Sequence, residues 1–167
     1  MEMKLKPISK DGITQAINRI QLYRYLNEPE EAESICRDIL AVAPDNQMAL
    51  RLLAMTITDQ FTGGPSDRFS EAEGLLNSLT DAYERLYFTG LLYERRAKTQ
   101  LRAGRPLAAL MPLLEEAMRR FAEAEKIRPP ANDDAILRWN RCVRLLESLP
   151  GADLEEEAFD AHDSPPI

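Results

Sequence analysis

The sequence predicts an all-α protein: antiparallel helix pairs stacked one on the next, about three pairs closed by a capping helix. Three observations predict it. Apolar residues recur at helical spacing nearly throughout, and no alternating apolar–polar run bounded by turn signals occurs. Proline, glycine and Asn/Asp clusters cut the chain into helical segments. The connections are short, which makes successive helices antiparallel neighbours. With 167 residues, 44% hydrophobic and 29% charged, the chain can bury a sizeable core.

Each element has its own local reason. Ser9 and Asp11 offer caps before Ile13, Ala16, Ile17 and Ile20, which share one face of a helix running to about Asn27. Pro29 opens a second helix where its missing N–H is harmless, and Glu30 and Glu31 suit the positive end of the helix dipole. That helix carries Ala32, Ile35, Cys36, Ile39 and Leu40 and stops before Pro44. A third begins near Asp45-Asn46 and buries Ala49, Leu50, Leu53, Ala54 and Ile57. Residues 62–67, TGGPSD, form a loop. A fourth helix spans about Arg68 to Ser78, and Thr80 or Asp81 caps a fifth that reaches Ala103. Gly104 breaks it. Pro106 opens a sixth helix running toward Arg128, with Pro112 either kinking it or marking its true first turn. Pro129-Pro130 ends the sixth, and Asn132 to Asp134 cap a seventh that ends near Leu149.

The charge divides the chain into a domain at 1–150 and a tail at 151–167. The net charge is −7, and the tail alone holds −6: Asp153, Glu155, Glu156, Glu157, Asp160 and Asp163, with no Lys or Arg. The body is nearly neutral and has a basic sector at 91–110, where Arg95, Arg96, Lys98, Arg102 and Arg105 face one acid, Glu94. The tail reads as a flexible acidic segment, either a solubility aid or one that visits the basic face. No apolar run is long enough to span a bilayer, and MEMKLKPISKDG has no apolar core like that of a signal peptide. Two cysteines, Cys36 and Cys142, make no disulfide scaffold, so the expected place is the cytoplasm, with reduced, buried thiols.

The pairs also look alike. NEPEEAESICRDILAVAPDNQMALRLLA, residues 27–54, joins a turn, Glu-Glu-Ala at a second-helix entry, an apolar ladder, Pro-Asp-Asn, and a next first helix with Ala49 and Ala54. FSEAEGLLNSL (69–79) repeats the entry with Ala72, AGRPLAALMPLL (103–114) repeats it with Gly104 and Ala109, and AEKIRPPANDDAILRW (124–139) repeats the exit. This resembles the tetratricopeptide repeat over residues 12–148. The spacing departs from that family: Ala32 to Ala72 is 40 residues and Ala72 to Ala109 is 37, against about 34 for a regular repeat. The resemblance implies a right-handed solenoid in which small alanines permit close helix contacts. It also implies a concave surface lined by the first helix of each pair.

On that implication the candidate binding residues lie on the odd-numbered helices, beside the core stripe. They are Arg19 and Leu22, with Leu26, on the first helix and Arg51 and Met55 on the third. Leu91, Arg95, Lys98 and Arg102 form a second stripe on the fifth, and Arg138 and Arg141 follow on the seventh. Trp139 reads as a core residue closing the stack, and the tyrosines as core residues with hydroxyls at the rim.

No phosphate loop, nucleotide fingerprint, CxxC or HExxH occurs, so no cofactor or metal is implied. The one histidine, His162, stands in the tail, and the adjacent acids Glu115-Glu116 and Asp133-Asp134 diverge on a helix. The expected function is a non-enzymatic scaffold whose basic groove receives a protein or peptide bearing an acidic element or a C-terminal carboxylate. A homo-oligomer built through the groove or end helix is the alternative, and a small carboxylate-based hydrolase the remote one. A membrane or nucleic-acid partner is not expected.

Overall fold

A computed structural model describes residues 3–151, and among these every regular element is helical. A 3-10 turn at Lys10–Gly12 leads into α1 (Ile13–Tyr25) and α2 (Pro29–Val42). Then come α3 (Gln47–Asp59), α4 (Phe69–Asn77), α5 (Ala82–Arg102), α6 (Leu107–Lys126) and α7 (Asp134–Glu147). The seven helices expected from the sequence are all present, with ends within a few residues of those expected. The acidic tail, from Ala152 on, lies outside the described residues.

Several ends form as the local chemistry dictates. The Asn46 side chain accepts the Ala49 N–H at 2.9 Å, and the Asp81 carboxylate accepts that of Glu84 at 2.8 Å, each satisfying an otherwise orphaned first-turn donor. Asn27 and Gly104, both at positive φ, turn the chain back after α1 and α5. Pro112 settles between its two expected roles: α6 begins at Leu107, behind Pro106, and Pro112 lies inside the helix. Its missing N–H deprives the Ala108 carbonyl of a partner, and Ala108 lies exposed where water reaches it.

The TGGPSD loop is tied by one carboxylate. Asp67 accepts from the Thr62 N–H at 2.7 Å, the Thr62 hydroxyl at 3.0 Å and the Gly63 N–H at 2.8 Å. Gly63, at φ +85°, rests on the end of α5; a Cβ there would lie 2.9 Å from that of Ala103 and 3.0 Å from the Thr99 carbonyl oxygen. Only glycine meets both demands.

Each helix packs on the next, and α1 also touches α3, α3 touches α5 and α5 touches α7. Helix α3 is central. It is buried on every side from Leu52 to Thr58, as an apolar sequence without a polar face requires. The main core runs from Ile20 through Ala32, Cys36 and Ile39 to Leu92, Phe121 and Cys142, and a smaller cluster joins Ala97 and Leu114 to Leu145 and Leu146.

Ala32 and Ala72 are fully buried, but Ala109 is exposed. The buried face of α6 runs instead through Leu110, Leu114, Ala117, Phe121 and Ala124. The close approach between α5 and α6 is made at Gly90, where a Cβ would stand 2.6 Å from the Phe121 ring. Two aromatic expectations also need correction. Tyr25 is exposed on α1, and Trp139, 36% exposed, stands outside both core clusters. Among the described residues, no helix is long and apolar enough to cross a membrane.

Candidate functional site

The odd-numbered helices bring most of the sequence-predicted residues to one seam, where several of the cations find carboxylates. Arg24 of α1 grips Asp59 of α3 through two bonds, of 2.6 and 3.2 Å. Arg95 of α5 donates to the same carboxylate at 2.7 Å and to the Thr58 hydroxyl at 2.7 Å. Arg51 of α3 pairs with Glu84 of α5 at 2.5 Å. Lys98 is bound to Glu94 one turn away, and Arg138 of α7 stands 3.6 Å from the same Glu94 oxygen. Glu94 is only 1% exposed, so this is a desolvated pair.

Much of the expected basic stripe is thus engaged, Arg95 in a clasp to the neighbouring odd helix and Lys98 with an acid of its own helix. Arg51, Arg95, Lys98 and Arg138 each face an acid, and two of those acids, Glu84 and Glu94, stand on α5 itself. Met55 and Leu91 are buried and pack in the core. Arg19, Arg102 and Arg141 are exposed, as is Leu22. Sequence spacing located the helices' shared side; of its pairings only Glu94 with Lys98, one turn apart on α5, was local, and Asp59 and Glu84 reach their partners only once the helices pack.

A cleft of about 420 Å³ opens at one end of this seam, where α3, α5 and α7 begin. Its wall is aromatic. Tyr83 and Tyr87, one turn apart on α5, lie parallel with centroids 5.8 Å apart and planes 8° apart. Phe88 meets Tyr87 edge to face at 5.1 Å. The Arg51 guanidinium lies over Phe88, 5.0 Å from its centroid. Gln47 closes the α3 side, its side-chain carbonyl accepting the Thr80 N–H at 2.8 Å. On the α7 side the Tyr83 hydroxyl donates to Asn132 at 3.2 Å, and that same Asn132 oxygen accepts the Asp134 N–H at 3.0 Å. Burial, reinforced by the negative charge of Asp134, pushes the Tyr83 phenol above its ordinary range. Burial does the same at Tyr87, where Asp134 and Glu94 also raise it against the pull of Arg138.

This cleft was the part of the surface that sequence reasoning missed. Sequence spacing reads Tyr83 and Tyr87 as core residues with hydroxyls at the rim; in the structure both are half-buried and line the cleft. The available signal was three aromatic residues within six positions behind an Asp cap. Asn132 and Asp134 were legible only as helix caps.

Both cysteines are buried, and burial pushes each thiol up to about 12, out of reach as a nucleophile near neutral pH. Glu116 is bound by Arg119 and Arg120 on its own helix, while Glu115 faces outward. In comparisons with protein-family models, curated proteins and solved structures, nothing matches this chain.

Proposed function

We propose that this chain is a non-enzymatic scaffold of the cytoplasm that binds a protein or peptide. In this reading it is a short right-handed solenoid of the tetratricopeptide kind, with α7 as its capping helix. The order of contacts supports the architecture: the odd helices touch in succession while each also packs on its even neighbours. The observation that carries the function is the cleft between α3, α5 and α7. It is concave, within the usual range of about 300–1,000 Å³ for a ligand site, and lined by half-buried aromatic rings with a few placed polar groups. Aromatic anchoring points of this kind dominate binding energy at interfaces.

A photo-cross-linking amino acid at Thr80, on the cleft rim, tests the reading. A discrete protein adduct is expected from Thr80 and none from Glu30, exposed on α2. Equal capture at both positions, or none at Thr80, refutes it.

A second reading is self-association, favoured by the exposed apolar side chains on the last helix. Leu137 is 62% exposed and Trp139 36%. If α7 is a homo-oligomer interface, Leu137→Asp gives a monomer in sedimentation at concentrations where the parent associates. A parent that sediments as a monomer throughout excludes it.

A further inference from the structure

Resting on the scaffold reading, we infer that the cleft receives the guanidinium of an arginine side chain presented by the partner, laid against the Tyr83–Tyr87 stack and paired with Asp134. The argument is one of charge and shape. Among the side chains lining the cleft that are charged at neutral pH, Asp81, Glu84 and Asp134 oppose Arg51 alone. Glu84 is spent on Arg51 at 2.5 Å. Asp81 accepts from its own helix terminus. Asp134 enters no ion pair among the described residues, is exposed, and lies close enough to both tyrosines for its charge to act on their phenols.

The starts of α5 and α7 do not reverse this sign. A helix N-terminus attracts anions through its unbonded N–H groups, but here Asp81 occupies that of Glu84 and Asn132 that of Asp134. Besides the remaining first-turn amides, the cleft offers a ligand one carboxylate outside any described ion pair and aromatic rings, with Arg138 acting on the Tyr87 phenol from beside it.

Ring faces carry negative potential, so a cation over them is attracted and an anion repelled. Tyr83 and Tyr87 stack on each other, so the pair leaves an outer ring face to the cleft, and a flat face suits a planar guanidinium better than a compact ammonium. The guanidinium fork also matches a carboxylate with two bonds. The protein already makes this contact once, internally, where Arg51 lies over Phe88 while paired with Glu84. An arginine on Tyr83, Tyr87 and Asp134 would repeat it with a side chain from outside. The acidic partner expected from the sequence would instead meet Asp134 unpaired, while Arg51 stays engaged with Glu84.

The test titrates acetyl-Gly-Arg-Gly-amide into the full-length, ¹⁵N-labelled protein. Saturable shifts are expected at the amides of Thr80, Tyr83, Tyr87 and Asp134, with a dissociation constant of about 1 mM, as befits a single anchor. The lysine analogue should move the same amides more weakly, and the glutamate and norleucine analogues should leave them in place. Asp134→Asn should weaken the arginine probe about tenfold, the loss of one charge-assisted contact. Asp134→Glu should restore part of it, with the parent melting temperature confirming the fold of both. Equal response to the glutamate or norleucine analogue overturns the inference. So does undiminished binding by Asp134→Asn, or the absence of any arginine response. In each of those cases, an adduct at Thr80 leaves the scaffold reading standing; failure of the cross-link removes that reading separately.

Discussion

The two halves of the molecule, α1–α4 and α5–α7, use the same helix pairing but secure it differently. The first half has a carboxylate at its centre that is fully engaged. Glu33 of α2 receives both arms of Arg68 at 2.6 and 2.7 Å, the Gln60 amide at 2.7 Å and Arg37 at 2.6 Å. The corresponding acid of the second half, Glu94, is buried, shares one oxygen between Lys98 and Arg138, and has no hydrogen-bond partner for the other among the described residues. The difference teaches that an ion pair's presence says little about its worth. A largely covered acid with both oxygens filled by donor groups stabilises, whereas a fully desolvated one with an orphan oxygen offsets much of its own attraction.

The largest expected effect comes from breaking the second arrangement. Glu94→Ala removes the carboxylate that Lys98 and Arg138 share among the described residues, and both of those side chains are largely covered. Stability should fall by about 3–5 kcal/mol in denaturant melts, as when one member of a buried pair is deleted. A loss under 1 kcal/mol would mean that both cations escape to water and that the two halves do not differ in this respect.

The first arrangement should show itself through pH. The Arg68 side chain above all, aided by Gln60 and Arg37, holds the Glu33 acid down to about 2 against desolvation, from an ordinary 4.5. Because the folded value is depressed, the stabilisation is fully present above about pH 4.5 and is lost as pH falls toward 2. A shift of that size corresponds to roughly 3 kcal/mol. Arg37 and Arg68 are 48% and 37% exposed, so water screening brings the expected contribution to about 2 kcal/mol. Glu33→Gln should cost that much at pH 7 and show a shallower loss between pH 4.5 and 2. Parallel parent and variant curves across that window would refute the assignment.

The same division governs what the sequence disclosed. Fold class, helix number and most ends were legible, since they follow from periodicity, caps such as Asn46 and Asp81, and breakers such as Pro29 and Gly104, all local properties. Partnership across helices was not. Glu116 with Arg119 and Arg120 obeys the i, i+3 and i, i+4 rule and is readable from sequence. Lys98 with Glu94 obeys the same rule, but Arg24 with Asp59 spans 35 positions and Arg95 with Asp59 36, so Arg95 looked free. The cleft escaped for a related reason. Tyr83 and Tyr87 do occupy the apolar side of α5, but how much of each ring is left uncovered depends on where α7 begins relative to α3.

The smallest effects sharpen the contrast at the level of single methyl groups. In the first half, where residues 27–54 carry the repeat-like pattern, Ala32 is fully buried. Its larger replacement, Ala32→Leu, must displace neighbours and should cost about 1–3 kcal/mol. The second half places its tight contact elsewhere. A Cβ on Gly90 would stand 2.6 Å from the fully buried Phe121 ring, which cannot swing aside as a flexible chain end does, so Gly90→Ala should cost a similar 1–3 kcal/mol. That loss would come despite alanine's better helix propensity, worth about 1 kcal/mol in the opposite direction. Ala109 matches Ala32 in the repeat pattern but lies exposed in the first turn of α6, so Ala109→Leu should change stability by less than about 0.5 kcal/mol. Thermal melts of the three variants side by side make the decision. Losses at Ala32 and Gly90 with none at Ala109 place the close contact of the second half between Gly90 and Phe121. A loss at Ala109 comparable to that at Ala32 would restore the regular repeat register and remove the distinction between the halves.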